Sequence, residues 1–206
     1  MRVGVLVSGN GTNLQALLDA QAARELAPAH IAVVISNIAD APALARAAAA
    51  QVTTHTVPHT AFAARQAFEA AVHEHLHAAD IDLIVLAGFM RILSPWFVQH
   101  YQGRIINTHP SLLPAFVGKD APAQAIAAGV KVSGVTVHFV DDSLDGGPII
   151  AQQCVHVQPT DTAATLHQRI QREEHALLPR VVRALARGEI AVRNGLAQWS
   201  SGASNA

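Results

Sequence analysis

The sequence predicts an α/β fold: a mostly parallel, twisted, Rossmann-like sheet with helices on both faces and antiparallel strands in the C-terminal half. Three observations carry that expectation. In the first half, short β-branched runs alternate with stretches of helical periodicity, the pattern of strand–helix–strand units joined by right-handed crossovers. The segment 81–87 (IDLIVLA) is apolar almost throughout, as a strand buried on both faces must be. Further on, 131–140 and 148–157 flank an Asp- and Gly-rich turn, which suits an antiparallel pair.

Taken in order, 2–7 (RVGVLV) is a buried first strand with a Gly-rich turn directly behind it, and Leu14, Leu17, Leu18 and Ala22 then follow helical spacing. A second strand at 30–36 precedes an Ala-rich helix at 41–51, and 53–57 is a short third strand. The segment 62–79 reads as a helix with Phe68, Val72, Leu76 and Ala79 on one face. After the apolar strand come a brief strand at 103–107, an irregular loop at 108–122 and a short helix at 123–128. Beyond the antiparallel pair, 162–187 is a long helix, expected to bend or break at Pro179 because proline lacks the N–H for that turn. A last strand at 190–193 precedes a tail, 196–206, expected to be disordered. One domain over 1–195, divided near residue 100, accounts for this order without a linker or a repeat.

Bulk properties exclude several classes. With 14 Lys and Arg against 15 Asp and Glu, the chain lacks the basic footprint of a nucleic-acid binder. No apolar run nears the roughly 20 residues needed to span a bilayer, and the first residues form too short an apolar stretch for a signal peptide. A single cysteine, Cys154, rules out an intrachain disulfide framework and fits a reducing compartment. The expectation is a cytoplasmic protein acting on small molecules, without nucleic acid or membrane. Nothing in the sequence chooses between monomer and homodimer.

The residues that can carry chemistry fall into three groups. Ser8-Gly9-Asn10-Gly11-Thr12-Asn13 lies between the first strand and the first helix, where backbone N–H groups form a natural phosphate site. Leu14 stands at the third glycine position of a dinucleotide fingerprint, and Ser36-Asn37 closes the second strand without an acid. A phosphate monoester therefore fits better than NAD, although a tight structural turn would look the same. Next, Asn107 and His109 lie two apart, so an extended segment points both the same way, and Asp145 sits on a Gly-Gly turn. An amide, an imidazole and a carboxylate suit acyl-type transfer through a tetrahedral intermediate: Asn107 and a protonated His109 donate to the oxyanion, and Asp145 favours the imidazolium. Finally, Glu174 lies on the apolar stripe of the last helix with Leu166, Ile170, Leu177 and Val181. An inward carboxylate there needs a salt-bridge partner or a ligand. His138, on the strand leading to Asp145, is a candidate for supporting that trio or for packing alone. His73-Glu74-His75-Leu76-His77 matches H-E-x-x-H, but the neighbouring apolar residues bury the adjacent face and leave the histidines towards solvent, so no metal is expected.

SGNGTN, LAGFMRIL, NTHPSLLP, GVTVHFVDDSLDGGP and the REEH stretch occur in the order and spacing of the phosphoribosylglycinamide formyltransferases (GAR transformylases), and the chain resembles that family from residue 1 to about residue 195. The resemblance implies transfer of the formyl group of 10-formyltetrahydrofolate, as co-substrate, to the amine of glycinamide ribonucleotide in purine synthesis. It makes Asn107, His109 and Asp145 the catalytic residues. Gly11, Thr12 and Asn13 then hold the substrate phosphate, and Glu174 the ribose hydroxyls. Arg65, Met90, Arg91, Ile92, Leu93, Asn107, Val140 and Asp141 contact the folate, and His138 supports the catalytic trio. The first half becomes the phosphate-binding one and 101–195 the folate and catalytic one.

The chain departs from the family after Leu113-Pro114, where Val117 replaces the usual proline and Lys119-Asp120-Ala121-Pro122 replaces a His-containing piece. The catalytic trio lies outside this departure. Rival readings are a formyltetrahydrofolate hydrolase, a formyltransferase for another amine, a Rossmann oxidoreductase and a catalytically silent binding protein. Bound NAD(H) would favour the oxidoreductase, and folate binding without turnover the silent protein.

Overall fold

The computed structural model describes residues 1–200. Its centre is a seven-stranded sheet in the order β3-β2-β1-β4-β5-β6-β7. The strands are β1 (Arg2–Val7), β2 (His30–Ser36), β3 (Thr53–Thr56), β4 (Leu83–Leu86), β5 (Ile105–His109), β6 (Val132–Phe139) and β7 (Ile149–His156). From β3 to β5 all pairings are parallel; β5–β6 and β6–β7 are antiparallel. The helices are α1 (Thr12–Ala22), α2 (Pro42–Ala49), α3 (Arg65–Ala78), α4 (Pro95–His100), α5 (Ala121–Ala128) and α6 (Ala163–Ala186). Among the described residues no helix is long and apolar enough to cross a membrane.

The two-residue period of the strands divides the core between the two faces. Val3, Val5 and Val7 of β1 join Leu83 and Val85 of β4 in one cluster, with Leu14 and Leu17 of α1, Ala43 of α2 and Leu166 and Ile170 of α6. Leu6, Ile84 and Leu86 point the other way, onto Phe68, Val72 and Leu76 of α3 and Phe97 of α4. Both faces are covered, as the apolar β4 segment predicts.

Several boundaries differ from the sequence expectation. The helix expected over 62–79 starts only at Arg65, as α3, because Phe62 and Ala64 are extended; a short 3-10 turn at His59–Ala61 precedes it. Helix α4 was not anticipated, although Ser94 as an N-cap accepting from Phe97 N–H, with Pro95 at the first turn, is a readable start signal. Strand β5 begins two residues later than expected and runs through His109, so Thr108 and His109 belong to the strand rather than to a loop. Helix α6 continues through Pro179 without a break. The tail expected from residue 196 is ordered at its start: Leu196–Trp199 (β9) pairs with Ile190–Arg193 (β8), and Trp199 Nε1 donates to Ile150 O at 2.8 Å. The rest of that tail, 201–206, lies outside the described residues. Of the histidines expected towards solvent, His77 is exposed and His73 is half-buried. The His73 Nδ1 shares a hydrogen bond with Tyr101 Oη at 2.9 Å, and its ring packs against Trp96 and His100. Burial pushes the Tyr101 hydroxyl up to about 12, so the phenol stays protonated.

Candidate active site

The alternation of β5 decides where its polar residues go. Asn107 and His109 point to one face and Thr108 to the other. Antiparallel pairing then sets His138 of β6 directly opposite Asn107. The Asn107 amide Nδ2 donates to His138 Nε2 at 3.3 Å, while His138 Nδ1 donates to the Phe139 carbonyl at 2.9 Å. A carbonyl only accepts, which puts the ring proton on Nδ1 and leaves Nε2 as the acceptor for the amide. Burial pushes the His138 imidazole below its usual range and outweighs the opposing effects of the Phe139 carbonyl and Asp145. His138 is therefore neutral near pH 7, and its 3.9 Å approach to Asp145 Oδ1 is not an ion pair.

Asp145 lies closer to His109, with Oδ2 3.5 Å from Nδ1 and both side chains largely buried. The same oxygen accepts from Gly118 N–H at 2.8 Å. His109 Nε2 donates to the Phe116 carbonyl at 2.8 Å. Both ring nitrogens thus face protein acceptors, a setting that the two N–H donors of an imidazolium satisfy. In this arrangement no His109 N–H is free for an oxyanion, whereas the Asn107 amide keeps a second N–H.

The turn carrying Asp145 is fixed by backbone geometry. Asp145 sits at φ 53°, in the left-handed region, and Gly147 packs so closely that a Cβ there would lie 2.0 Å from the Phe139 carbonyl oxygen. The other side of the site depends on residues that spacing did not single out. Thr136 Oγ1 donates to Ser111 O at 2.7 Å and accepts from Leu113 N–H and Gln152 Nε2 at 3.0 Å each. This holds the loop that leaves His109. Such cross-strand support depends on register, which the sequence signals only through the β6–β7 alternation.

Of the residues assigned to folate by resemblance, Met90–Leu93 form a partly exposed span. Met90 and Ile92 are 73% and 65% exposed, unusual for large apolar side chains without a partner. The span is tied at both ends: Met90 N–H donates to Ser8 Oγ at 2.8 Å, and Ser94 N–H and hydroxyl both donate to the buried Glu69 carboxylate. Arg91 lies over the Phe68 ring, 5.9 Å from its centroid. Val140 N–H is taken by Ile105 O, Asp141 is exposed and accepts from Ser143, and Arg65 is exposed at the start of α3.

On the opposite face, Glu174 is buried and has no cation beside it among the described residues. Asn13 Nδ2 donates to its Oε2 and Thr108 Oγ1 to its Oε1, both at 3.3 Å, and Asn13 Oδ1 is buried without a partner. One carboxylate therefore joins the Gly11–Asn13 loop to the strand that carries Asn107 and His109. A groove of about 690 Å³ runs along α1 and α6, lined by Gln15, Asp19, Arg46, His175 and Arg183. Of the site residues named from the sequence it includes Thr12 alone, so it does not coincide with the Asn107–His109–Asp145 cluster.

Comparison with known proteins agrees with the fold. A family model described as formyl transferase matches residues 1–182. The phosphoribosylglycinamide formyltransferase of Escherichia coli (strain K12) is 44% identical over 98% of this chain and 94% of its own length. The trifunctional purine biosynthetic protein adenosine-3 of Bos taurus is 44% identical over 96% of this chain, which spans only 20% of that longer protein. Among solved structures, glycinamide ribonucleotide transformylase 1 from Symbiobacterium toebii superimposes with a TM-score of 0.95 at 44% identity, covering 98% of this chain and 94% of that one.

Proposed function

The chain belongs to the formyl transferase family, and from that premise we propose that it transfers the formyl group of 10-formyltetrahydrofolate to the amine of glycinamide ribonucleotide, a step of purine biosynthesis. The observation that carries this reading is the Glu174 junction. It puts a phosphate-type loop and the strand bearing an amide and an imidazole within hydrogen-bond reach of one carboxylate. A phosphorylated ribosyl amine with its phosphate at Gly11–Asn13 and its hydroxyls at Glu174 has its amine near β5. The formyl donor then lies against Arg65, Met90–Leu93 and the 140–145 turn.

The neutral amine attacks the formyl carbon, and the carbonyl oxygen takes the negative charge. Asn107 donates its free N–H to that oxygen, with its orientation set by His138. His109 becomes the second donor when its Nε2–H leaves the Phe116 carbonyl, and Asp145 stays opposite Nδ1 to balance the imidazolium. Collapse breaks the bond from the formyl carbon to the folate nitrogen. The amine gives up one proton and the folate nitrogen gains one, with Asp145 and His109 placed to pass it.

The deciding experiment is a formyl-transfer assay from 10-formyltetrahydrofolate to glycinamide ribonucleotide, with water and other amines as competing acceptors. Formylated glycinamide ribonucleotide as the dominant product is expected. Formate release alone, or preference for another amine, refutes the assignment. An Asp145→Asn variant is expected to lose at least about 100-fold in kcat and to change its pH profile. An unchanged rate and profile would remove Asp145 from the mechanism.

A further inference from the structure

We propose that Arg46 is a positioning residue for the acceptor's phosphate group, acting through the backbone of the 8–13 loop; this rests on the reading above that the loop takes a phosphate. Helix α2 lies against that loop and supplies two donors to consecutive carbonyls. Ala43 N–H donates to Gly9 O at 3.2 Å, and Arg46 Nε donates to Asn10 O at 2.8 Å. The same guanidinium reaches the first turn of α1, with Nη1 donating to Gln15 Oε1 at 3.1 Å. One side chain thus ties the loop to the helix that follows it.

Peptide planarity turns these contacts into ligand geometry. In a trans peptide the carbonyl and the next N–H point in opposite directions. Holding Gly9 O and Asn10 O towards α2 therefore aims the Asn10 and Gly11 N–H groups away from it. Among the described residues neither N–H has a protein acceptor. Gly11 itself is at φ 71°, and a Cβ there would lie 2.6 Å from the Ala43 Cβ, so α2 has approached as closely as the backbone allows. Two oriented N–H groups beside the N-terminus of α1 form an anion nest, and Arg46 fixes its shape from behind. The planar fork makes this possible, since a lysine amine cannot reach both Asn10 O and Gln15 with fixed geometry.

The test compares Arg46→Met and Arg46→Lys with the unaltered protein. It measures inorganic phosphate binding by calorimetry, and KM for each substrate and kcat by steady-state assay. Both variants are expected to weaken phosphate binding and to raise KM for glycinamide ribonucleotide roughly ten- to hundredfold. The KM for 10-formyltetrahydrofolate and kcat at saturation should be unchanged. Full retention in Arg46→Lys would make charge rather than geometry the cause and overturn the proposal. Unchanged phosphate affinity in Arg46→Met, or a parallel shift in both KM values and kcat, would overturn it too. If the unaltered protein binds phosphate but does not formylate glycinamide ribonucleotide, the functional reading fails while the phosphate titration still tests Arg46.

Discussion

At the scale of single residues, the neutral His138 imidazole acts as an aiming device for an amide. Because its Nδ1 proton is held by the Phe139 carbonyl, its Nε2 lone pair can only accept, and Asn107 must present Nδ2 to it. Replacing His138 with Phe removes that acceptor and frees the amide to rotate. We expect kcat to fall roughly ten- to hundredfold, less than or comparable to the loss of a whole oxyanion donor, with KM for the amine little changed. Steady-state kinetics of the variant checks this, and an unaltered kcat would dissociate His138 from Asn107. The shared face of Asn107 and His109 was legible because residue type and two-residue spacing carry information within one strand, whereas the approach of Asp145 from the β6–β7 turn is not contained in that spacing. The pairing with His138 was not, because register is a relation between strands. The Phe116 carbonyl facing His109 was less accessible still, since it depends on a left-handed φ of 58° at Phe116 in an irregular loop.

At the scale of elements, α6 and the β6–β7 pair show how tertiary packing overrides local signals. Pro179 leaves the His175 carbonyl without its helical N–H, yet Leu177, Leu178, Val181 and Val182 are buried on either side and keep the axis continuous. The sequence reading of a break weighed the missing hydrogen bond and not the buried stripe that bridges it. Pro179→Ala restores the bond and is expected to raise stability by about 1–3 kcal/mol in urea titrations with an unchanged m value. A lower midpoint would show that the proline fits this groove better than a regular turn does. In the turn between β6 and β7 the constraint runs the other way. Gly147→Ala forces a methyl group against the Phe139 carbonyl, so the turn holding Asp145 must shift. Activity should fall by at least about tenfold, since small displacements of reacting groups are costly, while circular dichroism stays native-like. The β8–β9 hairpin was legible only in its first strand; the second is defined by Trp199 docking on Ile150, a contact far apart in sequence.

At the scale of the whole molecule, the fold class was the most legible feature, because burial on both faces of a parallel sheet leaves long apolar runs that no other arrangement needs. Its pH response follows from imidazoles kept neutral. The His138 pKa lies below the usual 6.5 chiefly through burial, and those of His55 and His73 are lowered for the same reason, aided by neighbouring histidines. Between those lowered values and about 6.5 the unfolded chain binds more protons than the native one, so stability rises with pH across that window. The contribution is complete above about 6.5 and is lost as pH falls through the native values. Urea midpoints should therefore drop from pH 7.5 to pH 5, and His138→Phe should flatten that slope, since His138 is the most deeply buried of the three. Equal slopes in variant and parent would contradict this.

The Glu174 junction also has a consequence for the birth of the protein on the ribosome. Asn13 emerges early and Thr108 near mid-chain, but the carboxylate that joins them is on the last long helix. The sheet already joins the two regions through β1, β4 and β5, but the carboxylate that hydrogen-bonds to both Asn13 and Thr108 is added only once residue 174 has been translated and its helix has docked. A nascent chain halted before that point would carry nearly every site residue but not this junction, so the onset of catalysis is expected to follow the docking of α6.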